Sequence, residues 1–269
     1  MIANTSLRLV ALDLDGTIIG PDLCVSERTQ KIIQRAVSRG VHVTIATGRM
    51  FQATLPFARM LGLATPLICY QGALIGQPSD GVFLFHRPIP LELARQVLAI
   101  ARERGLQLNL YVDDQLYVER LSPAVESYVA LSRIQPRVVG DLLAFLKADP
   151  TKIVSINDEP TTDKLVAEMS QRFNGRLYVT KSYPYFTEFA HPECSKGRAL
   201  KWLASFLEVS REEVMAVGDN LNDVEMLEWS GLGVAMGGAD EAVKRRADLV
   251  TGTLEEDGVA QVIEKYVLR

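Results

Sequence analysis

The chain has 269 residues, of which 48% are hydrophobic and 23% charged, and its net charge is −4. This is the composition of a folded globular protein with room for one large domain or two smaller ones. There is no Lys/Arg run of the kind that binds nucleic acid and no uncharged apolar stretch of about 18 residues to span a membrane. The three separated cysteines, Cys24, Cys69 and Cys194, suit neither a disulfide framework nor a thiolate zinc site and point to a reducing, cytoplasmic compartment.

In chain order, "LRLVALDLD" reads as a buried strand that carries two aspartates, Asp13 and Asp15, at its end. Residues 26–40 read as a helix, with Ser26 as N-cap, Gly40 beyond its C-terminus and Ile32, Ile33, Ala36 and Val37 as its apolar stripe. "VHVTIATGR", "MFQATLPFARMLG" and "PLICYQG" continue as strand, helix and strand. Continuous apolar strands alternating with helices predict a parallel sheet covered on both faces. From about residue 82 to 189 the pattern changes. A helix over 91–104 is followed by two strands joined at Asp113-Asp114, helices over 122–131 and near 142–147, the strand "KIVSIN", a helix over 161–173 and the strands "RLYVT" and "YFTEFA". The strand–helix alternation then resumes from "SKGRALKWLASFLE" through "EVMAVGD", "DVEMLEWSG", "LGVAM", "ADEAVKRRA" and "DLVT" to a last helix, "GVAQVIEKYVL". The expected fold is α/β: a Rossmann-like doubly wound parallel sheet built from residues 1–85 and 190–269, with an α+β domain, 86–189, inserted between them.

Four short segments carry the chemistry, and all lie in the two flanking halves: Asp13-Leu14-Asp15-Gly16-Thr17, Thr47-Gly48-Arg49, Ser195-Lys196-Gly197, and Gly218-Asp219-Asn220-Leu221-Asn222-Asp223. Three of them follow strands, and open parallel sheets bind ligands at the carboxyl ends of their strands. Singly, each has an ordinary explanation as a turn, a helix cap or a solvated lysine. Together they bring several carboxylates to one edge, where two carboxylates about 5 Å apart repel by roughly 3 kcal/mol at an effective dielectric near 20. A dication relieves that repulsion. Oxygen ligands with retained waters suit Mg²⁺, and Mg²⁺ with one lysine and backbone N–H groups suits a phosphoryl group.

The ordered set "DLDGT", "TGR", "SKG" and "GDNLND" resembles the haloacid dehalogenase superfamily, and within it the Cof-like phosphatases. The resemblance implies a Rossmann-like core with a cap domain inserted after the third strand, and Mg²⁺-dependent hydrolysis of small phosphorylated metabolites such as sugar phosphates. It implies that Asp13 is the nucleophile that forms an aspartyl-phosphate, and that Asp15 is the acid for the leaving group and then the base for water. Lys196 would neutralise developing charge. The Leu14 backbone N–H, Thr47, Gly48 and Asn222 would hold the phosphoryl group, and Arg49 would reach the substrate. Asp13, the Asp15 carbonyl and Asp219 would ligate the metal, with Asp223 orienting Lys196 or a metal-bound water. Gln71-Gly72-Ala73 and Gly237-Gly238-Ala239 depart from the Asn-Gly-Ala and Gly-Asn-Ala of many relatives, both near the expected mouth of the site. A sugar phosphomutase using the same aspartyl-phosphate is the close alternative. A receiver-like phospho-switch lacks a second aspartate two residues on. A sugar-phosphate sensor with a dead site has nothing in its favour, since every catalytic position is filled.

Overall fold

The structure, a computed structural model, describes residues 6–269, with side chains for all of these except 131, 132, 182 and 183. The chain begins with β1 (Leu9–Leu12), α1 (Glu27–Ser38), β2 (His42–Ile45), α2 (Phe51–Leu61), β3 (Leu67–Cys69), β4 (Leu74–Gly76) and β5 (Phe83–His86). It continues through α3 (Leu91–Glu103), β6 (Gln107–Val112), β7 (Gln115–Val118), α4 (Pro123–Ser132), β8 (Arg137–Val138), α5 (Leu142–Phe145), β9 (Lys152–Ile156), α6 (Glu159–Phe173), β10 (Tyr178–Tyr183) and β11 (Phe186–Ala190). It ends with α7 (Lys196–Phe206), β12 (Val214–Gly218), α8 (Val224–Trp229), β13 (Leu232–Ala235), α9 (Glu241–Lys244), β14 (Leu249–Val250) and α10 (Gly258–Tyr266). Two compact units result. One comprises the described residues up to Phe85 together with Ser195–Arg269, the other His86–Cys194. Among the described residues no helix is long and apolar enough to cross a membrane.

The first unit is organised by a five-stranded parallel sheet of order β14-β13-β12-β1-β2. From β1 the chain steps outward to β2 through α1. From β12, on the other side of β1, it steps the opposite way to β13 through α8. Right-handed crossovers in opposite directions put α1 and α8 on opposite faces, which is the doubly wound arrangement. Leu9, Ala11, Val214 and Ala216 point to the α8 face and pack with Ala199, Leu200 and Leu203 of α7 and Met226 and Leu227 of α8. Val10 and Leu12 point to the opposite face. All of these strand residues are wholly buried, and burying each large aliphatic side chain contributes about 1.5–3 kcal/mol. The strand order reverses between β1 and β12, so the crevice for a ligand lies beyond the carboxyl ends of these two strands.

Local signals explain the elements that frame this crevice. The Ser26 hydroxyl accepts from the Thr29 N–H at the start of α1, and Gly40 takes φ +82° after its end. The Ser195 hydroxyl caps α7 by accepting from the Arg198 N–H. The third strand differs from expectation. β3 joins β2 through one parallel bridge, Ala46 to Ile68, and then turns back as an antiparallel pair with β4, in a small sheet of order β3-β4-β5. The reversal runs through three consecutive residues in the left-handed region, Tyr70, Gln71 and Gly72, of which only the glycine announces such a turn in sequence. α9 is also shorter than expected. The Arg246 and Ala247 N–H groups reach back three residues, to Val243 and Lys244, so the last turn tightens and the helix stops.

The second unit is a six-stranded sheet of order β10-β11-β9-β6-β7-β8, antiparallel except for the β7–β8 pair. Leu108, Leu110, Ile153 and Phe189 of the sheet pack with Val97 and Leu98 of α3 and Leu165, Met169 and Phe173 of α6. The β6–β7 hairpin turns at Asp113 and Asp114, both with positive φ, as a tight two-residue turn requires.

Candidate active site

Asp13 is the first residue after β1, and its N–H donates to the Val217 carbonyl of β12 at 2.9 Å. The strand pairing thereby sets the Asp13 side chain at the switch point. Lys196, the first residue of α7, enters from the other side and is 1% exposed. Its Nζ donates to Asp13 Oδ1 at 2.5 Å and to Asp223 Oδ1 at 2.6 Å. Asp223 is wholly buried, and its Oδ2 accepts from the backbone N–H groups of Asp219 and Asn220, both at 3.0 Å. The loop after β12 is thus wound around the Asp223 carboxylate, which in turn holds Lys196. Asp219 stands on that loop, and its Oδ1 accepts from the Thr17 hydroxyl at 2.9 Å.

The loop after β1 closes tightly enough to bring Asp219 over it. The Leu14 carbonyl accepts from the N–H groups of Ile18 and Ile19, and Gly16 takes φ +87°. A Cβ on Gly16 would lie 2.4 Å from Asp219 Oδ2, so the position excludes a side chain on two separate grounds. A Cβ on Gly218 would meet Asp223 at 2.5 Å.

Charge is out of balance here. Asp13, Asp219 and Asp223 each offer a carboxylate oxygen, and these oxygens lie within 4.8 Å of one another. One lysine cannot neutralise three acids. Burial, and then the neighbouring Asp223 charge, push the Asp13 carboxyl well above the usual carboxylate range. The same two causes raise Asp219. For Lys196 burial acts downward, but the charges of Asp13 and Asp223 outweigh it and hold the ammonium firmly protonated. A dication would reverse the sign of the balance at Asp13 and Asp219. The donor set fits one: hard carboxylate oxygens with no nitrogen or sulfur among them suit Mg²⁺. Asp223 is occupied at both oxygens by hydrogen bonds, which leaves Asp13 and Asp219 as the carboxylates for an ion.

The remaining residues singled out from the sequence lie around this cluster in the same unit. Thr47 is buried after β2, and its hydroxyl accepts from the Arg49 N–H at 3.1 Å. Gly48 lies against Gln71, whose Nε2 a Cβ would meet at 2.5 Å. Asn222 is exposed, and its Nδ2 donates to Gln71 Oε1 at 3.1 Å. Leu14 is buried between the two aspartates of its motif. The Arg49 guanidinium forms a two-bond pair with Asp15, Nε to Oδ2 at 2.8 Å and Nη2 to Oδ1 at 2.6 Å. Two participants carry no role in the sequence reading. Thr17 belongs to the "DLDGT" motif, so its place next to the second aspartate loop was available from the motif. Gln71 holds Asn222 from across the crevice, and no spacing in the sequence marks that contact.

The sequence matches the haloacid dehalogenase-like hydrolases over residues 10–263. It is 30% identical to the 5-amino-6-(5-phospho-D-ribitylamino)uracil phosphatase YitU of Bacillus subtilis, over 98% of each chain. It is also 30% identical to the pyridoxal phosphate phosphatase YbhA of Escherichia coli, over 97% of this chain and 99% of that one. A haloacid dehalogenase-like hydrolase from Bacteroides thetaiotaomicron superimposes with a TM-score of 0.91 at 30% identity, covering 97% of this chain and 99% of the other. With the ordered motifs gathered at the switch point of a doubly wound sheet, this agreement over nearly the whole length means that the chain belongs to the haloacid dehalogenase-like hydrolases.

Proposed function

We propose that this hydrolase is a Mg²⁺-dependent phosphatase of small phosphorylated metabolites that works through an aspartyl-phosphate on Asp13. The observation that carries the reading is the cluster of buried Asp13, Lys196 and Asp223 with half-buried Asp219 at the switch point. The phosphatases YitU and YbhA, which match along their whole length, support the reaction class.

Asp13 attacks phosphorus through a carboxylate oxygen and displaces the alkoxide. Lys196, fixed by Asp223, offsets the negative charge that gathers on the phosphoryl oxygens. Asp15 gives a proton to the leaving oxygen and then takes one from the water that hydrolyses the acyl phosphate. Thr47, Gly48, Asn222 and the Leu14 N–H line the place for the phosphoryl group. Asp13, the Asp15 carbonyl and Asp219 would hold Mg²⁺, which supplies charge stabilisation and orients the phosphoryl group when bound. The inserted unit, His86–Cys194, is the cap that selects the leaving group.

The test is release of inorganic phosphate from a panel of phosphorylated metabolites by the purified protein, with and without Mg²⁺. Asp13→Asn should abolish release while leaving the circular dichroism spectrum unchanged. Full activity in EDTA would remove the metal, and transfer to a second sugar hydroxyl without free phosphate would make the protein a mutase.

A further inference from the structure

The reaction proposed above uses Asp15 as acid and base, and the structure gives Asp15 a partner for which that role does not account. Arg49 meets both carboxylate oxygens in a two-bond fork, 2.8 Å and 2.6 Å. The arginine is itself held. Its N–H donates to the Thr47 hydroxyl at 3.1 Å, its carbonyl accepts from the Tyr70 N–H at 2.9 Å, and its guanidinium carbon lies 5.8 Å from the centre of the Phe57 ring. The Arg49 side chain is 14% exposed and that of Asp15 35%. The arginine is the anchored member of the pair and the aspartate the more open one. Asp15 also sits on the loop made by the left-handed Gly16, where a single bridge to Ile19 holds its backbone and the Arg49 fork meets its side chain.

A fork of two parallel N–H···O bonds fixes the plane and direction of a carboxylate as well as its distance. A catalytic group about 1 Å out of place can cost roughly 100-fold in rate. We propose that Arg49 is a positioning residue that acts on the reaction through Asp15, and that it does not grip the substrate. This rests on the acid–base role assigned to Asp15 above. The two assignments of Arg49 make different demands. A gripping arginine binds whichever phosphoester enters and shows in KM. A positioning arginine matters only as much as Asp15 matters, so in the step that expels the leaving group it matters only where the leaving oxygen needs a proton.

The experiment is a double-mutant cycle of Arg49→Gln and Asp15→Asn, read on an alkyl phosphomonoester and on an aryl phosphate whose leaving group needs little protonation. Arg49→Gln should slow single-turnover release of the leaving group, which reads the first step alone, by about 10- to 100-fold on the alkyl ester and by no more than a few-fold on the aryl phosphate, with no loss of affinity for either. In the Asp15→Asn background it should cost less than about two-fold more. Arg49→Lys, which restores the charge without the fork, should recover only part of the loss. If Arg49→Gln folds poorly, Arg49→Lys is carried through the same cycle. A rise in KM on both substrates, or an Arg49 loss undiminished in the Asp15→Asn background, overturns the inference for Arg49 alone. If Asp15→Asn slows that first step equally on both substrates, the acid role of Asp15 falls, and the inference falls with it.

Discussion

Lys196 and Asp13 lie 183 positions apart in the chain, yet the lysine Nζ is 2.5 Å from the aspartate Oδ1, with both side chains buried. The contact joins α7, from the second half of the core, to the end of β1, from the first. Removing one partner of a buried ion pair destabilises a protein far more than the pair itself stabilises it. Lys196→Met should therefore lower the unfolding free energy by about 3 kcal/mol at neutral pH, because Asp13 and Asp223 then face each other without a cation. The deficit should shrink on acidification. Without the lysine the Asp13 carboxyl, already raised by burial and neighbouring charge, lies still further above its unfolded value, so the folded variant binds more protons and gains stability as pH falls. Urea melts of both proteins at about pH 8 and about pH 5 read this directly. A deficit independent of pH would mean that the acids are not the source.

Two glycines separate backbone strain from crowding of the proposed metal ligand Asp219. Gly16 and Gly40 both have φ above +80°, but a Cβ on Gly16 would collide with Asp219, whereas nothing lies within 4 Å of one on Gly40. Either change to alanine should cost about 1 kcal/mol or more in left-handed strain. Only Gly16→Ala should displace Asp219. Wild type and Gly40→Ala should gain thermal stability with Mg²⁺, by about 2.7 kcal/mol at 100 times the dissociation constant, while Gly16→Ala and Asp219→Ala should gain much less. Differential scanning fluorimetry across a Mg²⁺ series measures this without any turnover. An undiminished shift in Gly16→Ala would count against Asp219 as a ligand.

The contrast between the two glycines also shows what could be read before the structure was seen. Gly16 stood out because it follows two aspartates two residues apart, and Gly40 because it follows a helical stripe that begins with a good N-cap, Ser26. Both signals are local, and both elements formed as expected. The reversal at Tyr70 and Gln71 was hidden because neither residue type favours the left-handed region. The following strand, Leu74–Gly76, also merely prolongs an apolar run. The "TGR" arginine was visible, but its partner was not. Arg49 and Asp15 are 34 residues apart on different strand ends, and nothing in their spacing says that β1 and β2 lie side by side in register.

His86 carries a pH dependence of stability away from the acidic cluster. It is exposed at the end of β5, and its Nε2 lies 2.9 Å from the Thr151 hydroxyl. Partial desolvation lowers its pKa below the usual 6.5, against the opposing charges of Asp113 and Asp149. The folded state therefore favours the neutral imidazole. Stability from this group is intact above about pH 6.5 and declines as pH falls toward the folded-state value, because the unfolded chain takes up the proton first. His191 is lowered as well, by burial and then by Arg87, and adds in the same direction. Midpoints of denaturation between about pH 7.5 and about pH 5 should fall less steeply in His86→Gln than in the wild type, with His191 supplying part of the remaining slope. Equal slopes in the two proteins would show that His86 titrates alike in both states.

The second unit has a buried ion pair of its own, and its energetics run differently from those at Lys196. Lys152 Nζ lies 3.2 Å from Glu188 Oε1 across neighbouring strands β9 and β11, and both side chains are at most 10% exposed. The Tyr111 ring is 5.3 Å from the ammonium. Burial acts to lower the lysine pKa, but the Glu188 and Tyr128 charges and the Glu188 hydrogen bond outweigh it and hold the ammonium protonated. Among the described residues, the acids grouped closely enough to hold a metal are Asp13, Asp219 and Asp223, not Glu188. Replacing both residues by apolar ones of similar size, Lys152→Met with Glu188→Leu, removes two desolvated charges together. The double variant should be as stable as the wild type or more stable, whereas either single change should cost about 3–5 kcal/mol. Because the pair lies in the unit proposed to choose the leaving group, the stable double variant should also change the ranking of phosphorylated metabolites while keeping its rate on a small aryl phosphate. Chemical denaturation of the three variants tests the first statement, and parallel assays on the metabolite panel and the aryl phosphate test the second. A double variant as unstable as the single ones would make the pair a fold-stabilising contact, and an unaltered substrate ranking would leave it no part in selection.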